Sequence, residues 1–282
     1  MLKLITHIKE TTQVRWNGLG KFKPMISLNL ELGPYLIKTA DTVDELLKTF
    51  RLRHEVFHRE FREIMRCGLD IDKHDRSFDH LLIVHKATQT VVGTYRLRSS
   101  DGLSQAYTAQ EFNMSDLKDF QGPYLELGRA CIHKEHRKGA VMALLFRGIA
   151  EYMNQSQAKT LFGCSSVKVH QAREAALVFE YLRQQGHVLS QNSVAPTSEF
   201  HMPQMESWIH IFSMGLTDTE QLEAEKLIPS LVKMYLKMGA KIVCQPAYDK
   251  EFKCIDLLTV LKTQELEASL AKRFQVISGQ KA

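Results

Sequence analysis

The spacing of apolar residues along the chain changes between two periods, and each period predicts one type of element. Short runs with strand character lie at 35–39, 81–85, 91–97, 124–132, 160–166, 241–245 and 255–262. Apolar positions at helical spacing lie at 43–57, 140–153, 169–183 and 220–238, with a break at Pro229. The alternation of strands and helices, with one antiparallel hairpin at 81–97, predicts an α/β fold: a mixed central sheet with helices on both faces.

The same pattern predicts the organisation of the chain. Residues 1–34 are weakly patterned and are predicted to be an N-terminal extension, and residues 266–282 a C-terminal tail. Residues 35–265 are predicted to form the main domain. Within it, 187–215 mix Ser, Asn, Pro and Met and are predicted to be an irregular insertion or lid.

Composition narrows the range of partners. The net charge of +5 comes without a long basic run or a pattern of stacking aromatic residues, so we expect no nucleic-acid partner. The charge suits an acidic protein partner or an anionic membrane surface. The five cysteines are scattered and form no paired motif, and the N-terminus shows no secretory signal. We therefore expect a cytoplasmic protein, with peripheral contact to the inner membrane left open.

The segment 124–140 runs from a strand through a basic loop into an apolar helix. Such a loop directs backbone N–H groups and the positive end of a helix at an anion, most often a phosphate. Arg137 and Lys138 add positive charge beside Gly139 and Ala140. The alternative is an ordinary helix start with a solvated basic turn.

Within the strand, Glu126 and Arg129 stand three residues apart, so a regular strand would place them on opposite faces. A bulge at Gly128 would bring both to one face and free a backbone N–H. Acyl transfer needs such an N–H to stabilise the oxyanion, and a carboxylate to deprotonate the incoming amine. The alternative is a structural Glu–Arg pair.

The acidic stretch 70–79 contains Asp70, Asp72 and Asp75, which can line a pocket for cationic groups. Arg53 and Arg96 stand in otherwise apolar elements and are not expected to be buried without partners. We predict a partly buried network of these residues with Arg129. A solvated acidic loop is the alternative.

A zinc hydrolase is a competing interpretation from another class of enzyme. The predicted helix that begins at residue 43 leads into His54-Glu55-Val56-Phe57-His58, which matches the HExxH pattern of metalloproteases. Phe61 stands where the longer form of the pattern has glycine, and no third ligand is evident. We therefore predict no bound metal.

Taken in order, these motifs resemble two groups of GNAT acyltransferases: the acyl-homoserine-lactone synthases and the ornithine-lipid-type N-acyltransferases. The resemblance rests on 53–57, the aspartates of 70–79, Gly93-Thr94-Tyr95-Arg96 and Glu126-x-x-Arg129. The run 229–240, followed by 246–249 and Phe252, resembles the second group specifically.

The resemblance implies a GNAT fold and transfer of a long-chain, often 3-hydroxylated, acyl group from acyl carrier protein to the α-amine of an amino acid such as ornithine. The donor substrate would bring its own phosphopantetheine, or coenzyme A, and no bound cofactor is implied. The residues assigned by the resemblance and the loop pattern are, for catalysis, Glu126, Gly128 and Arg129; for the acceptor, Arg53, Phe57, Asp70, Asp72, Asp75 and Arg96; and for the donor, Cys131, Ile132, Arg137, Lys138, Gly139 and Ala140.

Two departures from the pattern bear on the substrates. The usual coenzyme-A loop is contracted to Arg137-Lys138-Gly139-Ala140, which favours the single phosphate of a carrier protein. No tryptophan stands near the acidic cluster, which disfavours the S-adenosylmethionine acceptor of the lactone synthases. A coenzyme-A-dependent acetyltransferase and a non-catalytic binding module with the same fold remain alternatives.

Overall fold

A computed structural model describes residues 22–264, apart from 62–67, 115–116, 118–119, 138–139 and 190–193. The strands of the described residues are β1 (Asn29–Leu32), β2 (Tyr35–Thr39), β3 (Asp79–His85), β4 (Thr90–Ser100), β5 (Tyr124–Ile132), β6 (Thr160–Val167), β7 (Lys241–Ile242), β8 (Ala247–Asp249) and β9 (Cys254–Lys262). The α-helices are α1 (Val43–Phe61), α2 (Val141–Ser156), α3 (Ala172–Gln184), α4 (Met205–Phe212), α5 (Asp218–Leu227) and α6 (Ser230–Lys237). The chain divides into a first unit, 1–98 with 127–156, and a second unit, 99–126 with 157–282.

Most predicted elements are confirmed, including the break between α5 and α6 at Pro229. Three elements were not predicted. Strand β1 lies within residues 1–34, which were expected to be a weakly patterned N-terminal extension, and it pairs with β2. Helix α4 lies inside the segment 187–215 that was expected to be irregular; Met205 and Phe212, seven residues apart, are both buried in the core of the second unit. Strand β8 has three residues, which is too short for a period of two to be visible in the sequence.

The first unit consists of antiparallel strands covered on both faces. Strands β1 to β4 pair in chain order. Side chains alternate along β3, so Leu81 packs against α2 while Leu82 joins a cluster with Phe50 of α1. A Cβ on Gly148 of α2 would lie 2.8 Å from the Leu81 side chain, which shows how closely this helix approaches the sheet.

The second unit gives the sheet its mixed character. Strand β5 pairs in parallel with β6 only from Tyr124 to Glu126. Strand β6 pairs antiparallel with β9 along its whole length, and β7 and β8 also pair with β9. Ile255 and Leu257 pack in one core with α3, and Leu258 and Val260 pack in a second core.

The predicted domain limits at 34 and 265 stay predictions. None of the helices in the described part of the chain combines the length and hydropathy of a membrane span.

Candidate functional site

The predicted ionic network is present in the first unit and is centred on Arg53. This guanidinium is fully buried in α1. Its Nε donates to Asp70 Oδ2 at 2.6 Å, and its two terminal nitrogens donate to the two oxygens of Asp75 at 2.7 and 3.2 Å. This bidentate geometry is the strongest form of an arginine–carboxylate contact. It explains why an arginine can stand on the apolar face of a helix.

Asp72 extends the network to the other two arginines. Its Oδ2 accepts from Arg96 at 2.6 Å and from Arg129 at 3.0 Å. Arg96 also donates to Asp75 at 3.1 Å, and Arg129 Nε lies 3.6 Å from Asp70. Three aspartates thus face three arginines, and their formal charges cancel.

A short helical turn fixes the aspartates. Asp72 caps the 3-10 helix Lys73–Arg76: its side chain accepts from the N–H of His74, and the side chain of Asp75 accepts from the N–H of Asp72. This capping box explains the spacing of two acidic residues three apart. Each carboxylate therefore serves both the local turn and the distant arginines.

The arginines of the network keep Asp72 and Asp75 ionised. Burial opposes ionisation of Asp75, but the neighbouring charges of Arg53 and Arg96, together with its other favourable contacts, outweigh burial and lower the pKa of Asp75 to about 2. Burial likewise opposes ionisation of Asp72, and Arg96 and Arg129 hold its pKa far below the usual range. Carboxylates held so firmly ionised are poor proton acceptors at neutral pH.

The exposed edge of the network is formed by Asp72 and Arg129. Their side chains keep 22% and 13% of their surface exposed, whereas Arg53 and Asp75 keep 1% or less. The guanidinium of Arg129 also lies over the Phe57 ring at 5.6 Å. The assignment of this edge to the acceptor stays a prediction.

Strand β5 departs from regular geometry, as the spacing of Glu126 and Arg129 suggested. The left-handed residue is Arg129, with φ of 52°, and not Gly128. This conformation is uncommon outside glycine and is typical of functional sites. A Cβ on Gly128 would meet no described atom within 4 Å, so the backbone there borders open space.

The carboxylate of Glu126 is buried in the second unit and serves as an anchor. It accepts from the backbone N–H of Tyr107 at 2.9 Å, and from the N–H and hydroxyl of Thr108 at 2.7 and 2.6 Å. These bonds fix the start of the 3-10 helix Thr108–Gln110. Whether Glu126 also acts as the base stays a prediction.

The donor loop is described only in part, since Lys138 and Gly139 lie outside the described residues. Arg137 bends back, and its Nε donates to the carbonyl of Ile132 at 3.1 Å. Ala140 is exposed just before α2. Cys131 and Ile132 are buried, and the Cys131 side chain packs into the core with α1. A donor lying along this strand would therefore meet Cys131 through its backbone.

Comparisons with known proteins show a matching domain family and several similar proteins. The acetyltransferase (GNAT) domain family matches residues 52–147. That range spans Arg53, the aspartate turn, β5 and the donor loop, and it confirms the predicted GNAT fold. The chain is also similar to proteins named L-ornithine N(alpha)-acyltransferase from Rhodobacter capsulatus (27% identical, 82% of this chain and 91% of that protein), Rhizobium meliloti (28%, 74% and 74%) and Agrobacterium fabrum (29%, 76% and 76%).

The protein is an acyltransferase. The predicted resemblance to the ornithine-lipid-type enzymes is confirmed by these relatives. Among solved structures, the chain is similar to FeeM, an N-acyl amino acid synthase from uncultured soil microbes, at 10% identity and a TM-score of 0.44 over 83% of this chain and 95% of that one. It is similar to the coenzyme-A-dependent acyl-homoserine lactone synthase BjaI at 14% identity and a TM-score of 0.43, over 80% of each chain.

The acyltransferase also contains functional candidates that the sequence did not reveal. His80 is fully buried next to Asp75; its Nε2 lies 3.1 Å from the Asp75 carbonyl oxygen. Burial lowers the pKa of His80 to about 4, although Asp75 opposes the shift. The alternation of β3 could have flagged His80 as inward-facing. A second group, Glu111, Asp249 and Asp256, is brought together from distant segments and had no local signal.

The residues of the HExxH pattern are only partly described. His54 and Glu55 are half-buried on α1, and the side chain of His58 lies outside the described residues. Glu55 lies 3.9 Å from His133 Nε2. Among the described residues, three carboxylates lie close enough to share a metal ion: Glu111, Asp249 and Asp256. The described HExxH residues, His54 and Glu55, do not belong to such a group. The absence of a bound metal stays a prediction.

Proposed function

We propose that this acyltransferase moves a fatty acyl group, often 3-hydroxylated, from acyl carrier protein to the α-amine of ornithine. The observation that carries the proposal is the likeness to relatives named L-ornithine N(alpha)-acyltransferase over 74–84% of the chain. The product would be a lyso-aminolipid, and the reaction would be the first step of aminolipid synthesis.

The ionic network supports binding of an amino acid as acceptor. Asp72 and Arg129 form its exposed edge and offer one negative and one positive group. An amino acid carries an ammonium and a carboxylate that can pair with them. Arg53 and Asp75 hydrogen-bond each other in the buried part of the network, and they support the exposed pair of Asp72 and Arg129. This support favours precise positioning of the reacting amine.

The chemistry that we propose is direct transfer. The neutral amine attacks the thioester carbonyl, a carbon–nitrogen bond forms, and the pantetheine thiolate leaves. The open space beside Gly128 supports a passage for the thioester, with a backbone N–H of this irregular stretch stabilising the oxyanion. Glu126, or water next to it, takes the amine proton.

The donor loop supports a carrier protein. Lys134 and Arg137 are exposed on a loop that bears basic residues, which suits an acidic partner. The proposed localisation follows from these substrates: a cytoplasmic enzyme whose lipid product brings it to the inner membrane surface.

The test is a comparison of donors with matched variants. We expect the acyl group on carrier protein to be used at least tenfold better, in kcat/KM, than the same group on coenzyme A. Lys134→Glu should raise KM for the carrier with little change in kcat, since its contacts are to non-reacting parts. Lys250→Glu reverses an exposed charge elsewhere and serves as the control. Equal use of both donors would favour the coenzyme-A-dependent acetyltransferase.

A second variant tests the passage at Gly128. Gly128→Val should leave the thermal midpoint nearly unchanged, because a Cβ there meets no described atom. It should nevertheless lower kcat/KM for the acyl donor at least tenfold. A variant with full activity would show that the donor does not pass beside Gly128.

A further inference from the structure

A short stretch of chain before β1 is attached to the sheet of the first unit by a buried carboxylate. Asp79, at the start of β3, is 1% exposed. Its Oδ1 accepts from the N–H of Met25 at 2.8 Å, and its Oδ2 accepts from the N–H of Ile26 at 2.9 Å. The Tyr152 hydroxyl of α2 also donates to Oδ2, at 2.9 Å. We call residues 22–28 the strap.

A second attachment of the strap lies on β2. The Thr39 hydroxyl donates to the carbonyl of Ile26 at 2.8 Å and accepts from the N–H of Leu28 at 2.9 Å. Thr39 is buried, as is Asp79. Backbone groups at 25, 26 and 28 are thus held by two buried side chains.

Asp79 depends on the strap as much as the strap depends on Asp79. The described partners of its carboxylate are all neutral. Burial raises the pKa of Asp79, although the strap N–H groups and the Tyr152 hydroxyl oppose the shift. A carboxylate buried without a cation is costly unless N–H and O–H donors satisfy it. Because two of these three donors belong to the strap, release of the strap would leave the carboxylate short of partners.

The strap places Phe22 beside the ionic network. The Phe22 ring lies 5.8 Å from the ring of His80, the residue that follows Asp79. His80 Nε2 in turn lies 3.1 Å from the carbonyl oxygen of Asp75. Phe22 is half-buried, so it helps to cover His80 while part of its own surface stays exposed.

Phe22 belongs to a set of half-buried apolar side chains that border the network. Phe57 and Leu69 pack with it against the same core cluster. The Arg129 guanidinium lies over the Phe57 ring at 5.6 Å, and Leu69 directly precedes Asp70. An apolar border suits the methylene groups of an amino-acid side chain, whereas the exposed charges suit its ionic groups. Of these three side chains, Phe22 is the one that the strap positions.

We propose that the strap forms one wall of the acceptor site, with Phe22 as the side chain that contacts the acceptor and Asp79 as the positioning residue that holds the strap. The inference rests on the proposed function, because it concerns the amino-acid acceptor. Asp79 is buried and acts through Phe22. Loss of its contacts should therefore weaken acceptor binding and leave the chemical step unchanged.

The test combines steady-state kinetics with amide hydrogen exchange. Asp79→Asn has one acceptor oxygen instead of two, so exchange at Met25 or Ile26 should become at least tenfold faster. KM for the acceptor amino acid should rise at least fivefold, with kcat and the KM for the acyl donor within twofold of wild type. Phe22→Ala should give the same rise in acceptor KM while both amides stay protected. Lys23→Ala changes an exposed neighbour in the strap and should alter neither measurement.

A double variant tests whether the two residues act on the same wall. In Phe22→Ala combined with Asp79→Asn, acceptor KM should stay within twofold of the larger single effect, because Asp79 acts through Phe22. Two effects that multiply would show that Asp79 acts by another route and would contradict the inference.

The outcomes separate this inference from the proposed function. Faster exchange in Asp79→Asn with an unchanged acceptor KM would make the strap purely structural and overturn the inference. An unchanged acceptor KM in Phe22→Ala would do the same, and this variant decides the matter even if Asp79→Asn fails to fold. Failure of the wild-type protein to acylate ornithine or any other amino acid would overturn the proposed function, and the inference with it.

Discussion

The substitution Glu126→Gln distinguishes an anchoring carboxylate from a catalytic base. In the structure, Oε1 accepts from the N–H and hydroxyl of Thr108, and Oε2 accepts from the N–H of Tyr107. Glutamine has the same shape, so its carbonyl can keep both bonds to Thr108. Its amide group then faces the Tyr107 N–H, donor against donor, and that backbone group loses its partner.

The expected magnitude follows from these three bonds. An unsatisfied buried donor costs about 1–3 kcal/mol, and the two remaining bonds weaken because the acceptor is no longer charged. The free energy of unfolding should therefore fall by about 2–4 kcal/mol. For a unit of this size, that corresponds to a decrease of roughly 5–15 °C in the thermal midpoint.

Calorimetry and acyl-transfer kinetics measure the two roles separately. Thr108→Val removes only the hydroxyl and should cost about 1 kcal/mol, while Glu135→Gln changes an exposed glutamate and should cost nothing measurable. If Glu126 is also the base, kcat should fall by about 10²–10⁴-fold at temperatures where the variant is fully folded. An unchanged thermal midpoint for Glu126→Gln would refute the anchoring argument.

Three further predictions follow. Arg53→Met, which strands Asp70 and Asp75 in the interior, should lower stability by about 3–5 kcal/mol in urea unfolding; Arg129→Ala should cost less, because this side chain is partly exposed. The free energy of unfolding should decline by about 3 kcal/mol as pH falls from 6.5 to about 4, because folding keeps buried His80 neutral while the unfolded chain takes up a proton. His80→Gln should remove this dependence on pH. An unchanged dependence in that variant would contradict the role of His80. The ionised state of Asp75 adds stability that is lost only below about pH 4. Protein purified without added zinc should contain far less than one equivalent, and its activity should survive a strong chelator; stoichiometric zinc would revive the HExxH interpretation.

The regular elements could be predicted from the sequence because their signals are local. Strand β5 and the break at Pro229 were predicted correctly, since side-chain periodicity and the missing proline N–H act within a few residues. Helix α4 was missed because eight residues in a polar, proline-containing segment give too short a periodic signal. Burial of its two ends by the rest of the second unit stabilises it.

In the candidate site too, local sequence signals were predictable and contacts between distant segments were not. Arg53 in an apolar helix already required a carboxylate partner, because an unpaired buried charge is too costly, and the stretch 70–79 contains four aspartates. That argument determined the members of the network. Which aspartate meets which arginine depended on the folded backbone, as with Arg129 and Asp72, which are 57 residues apart.

By itself, the sequence determined most of the strands and helices, the GNAT resemblance and the chemical types of the residues in the ionic network. Tertiary structure alone decided that Glu126 holds the turn at Thr108 and that Glu111 meets Asp249 and Asp256. The physical reason is range. Periodicity, capping and proline act between neighbours along the chain, whereas burial and charge depend on which distant segments the fold brings together.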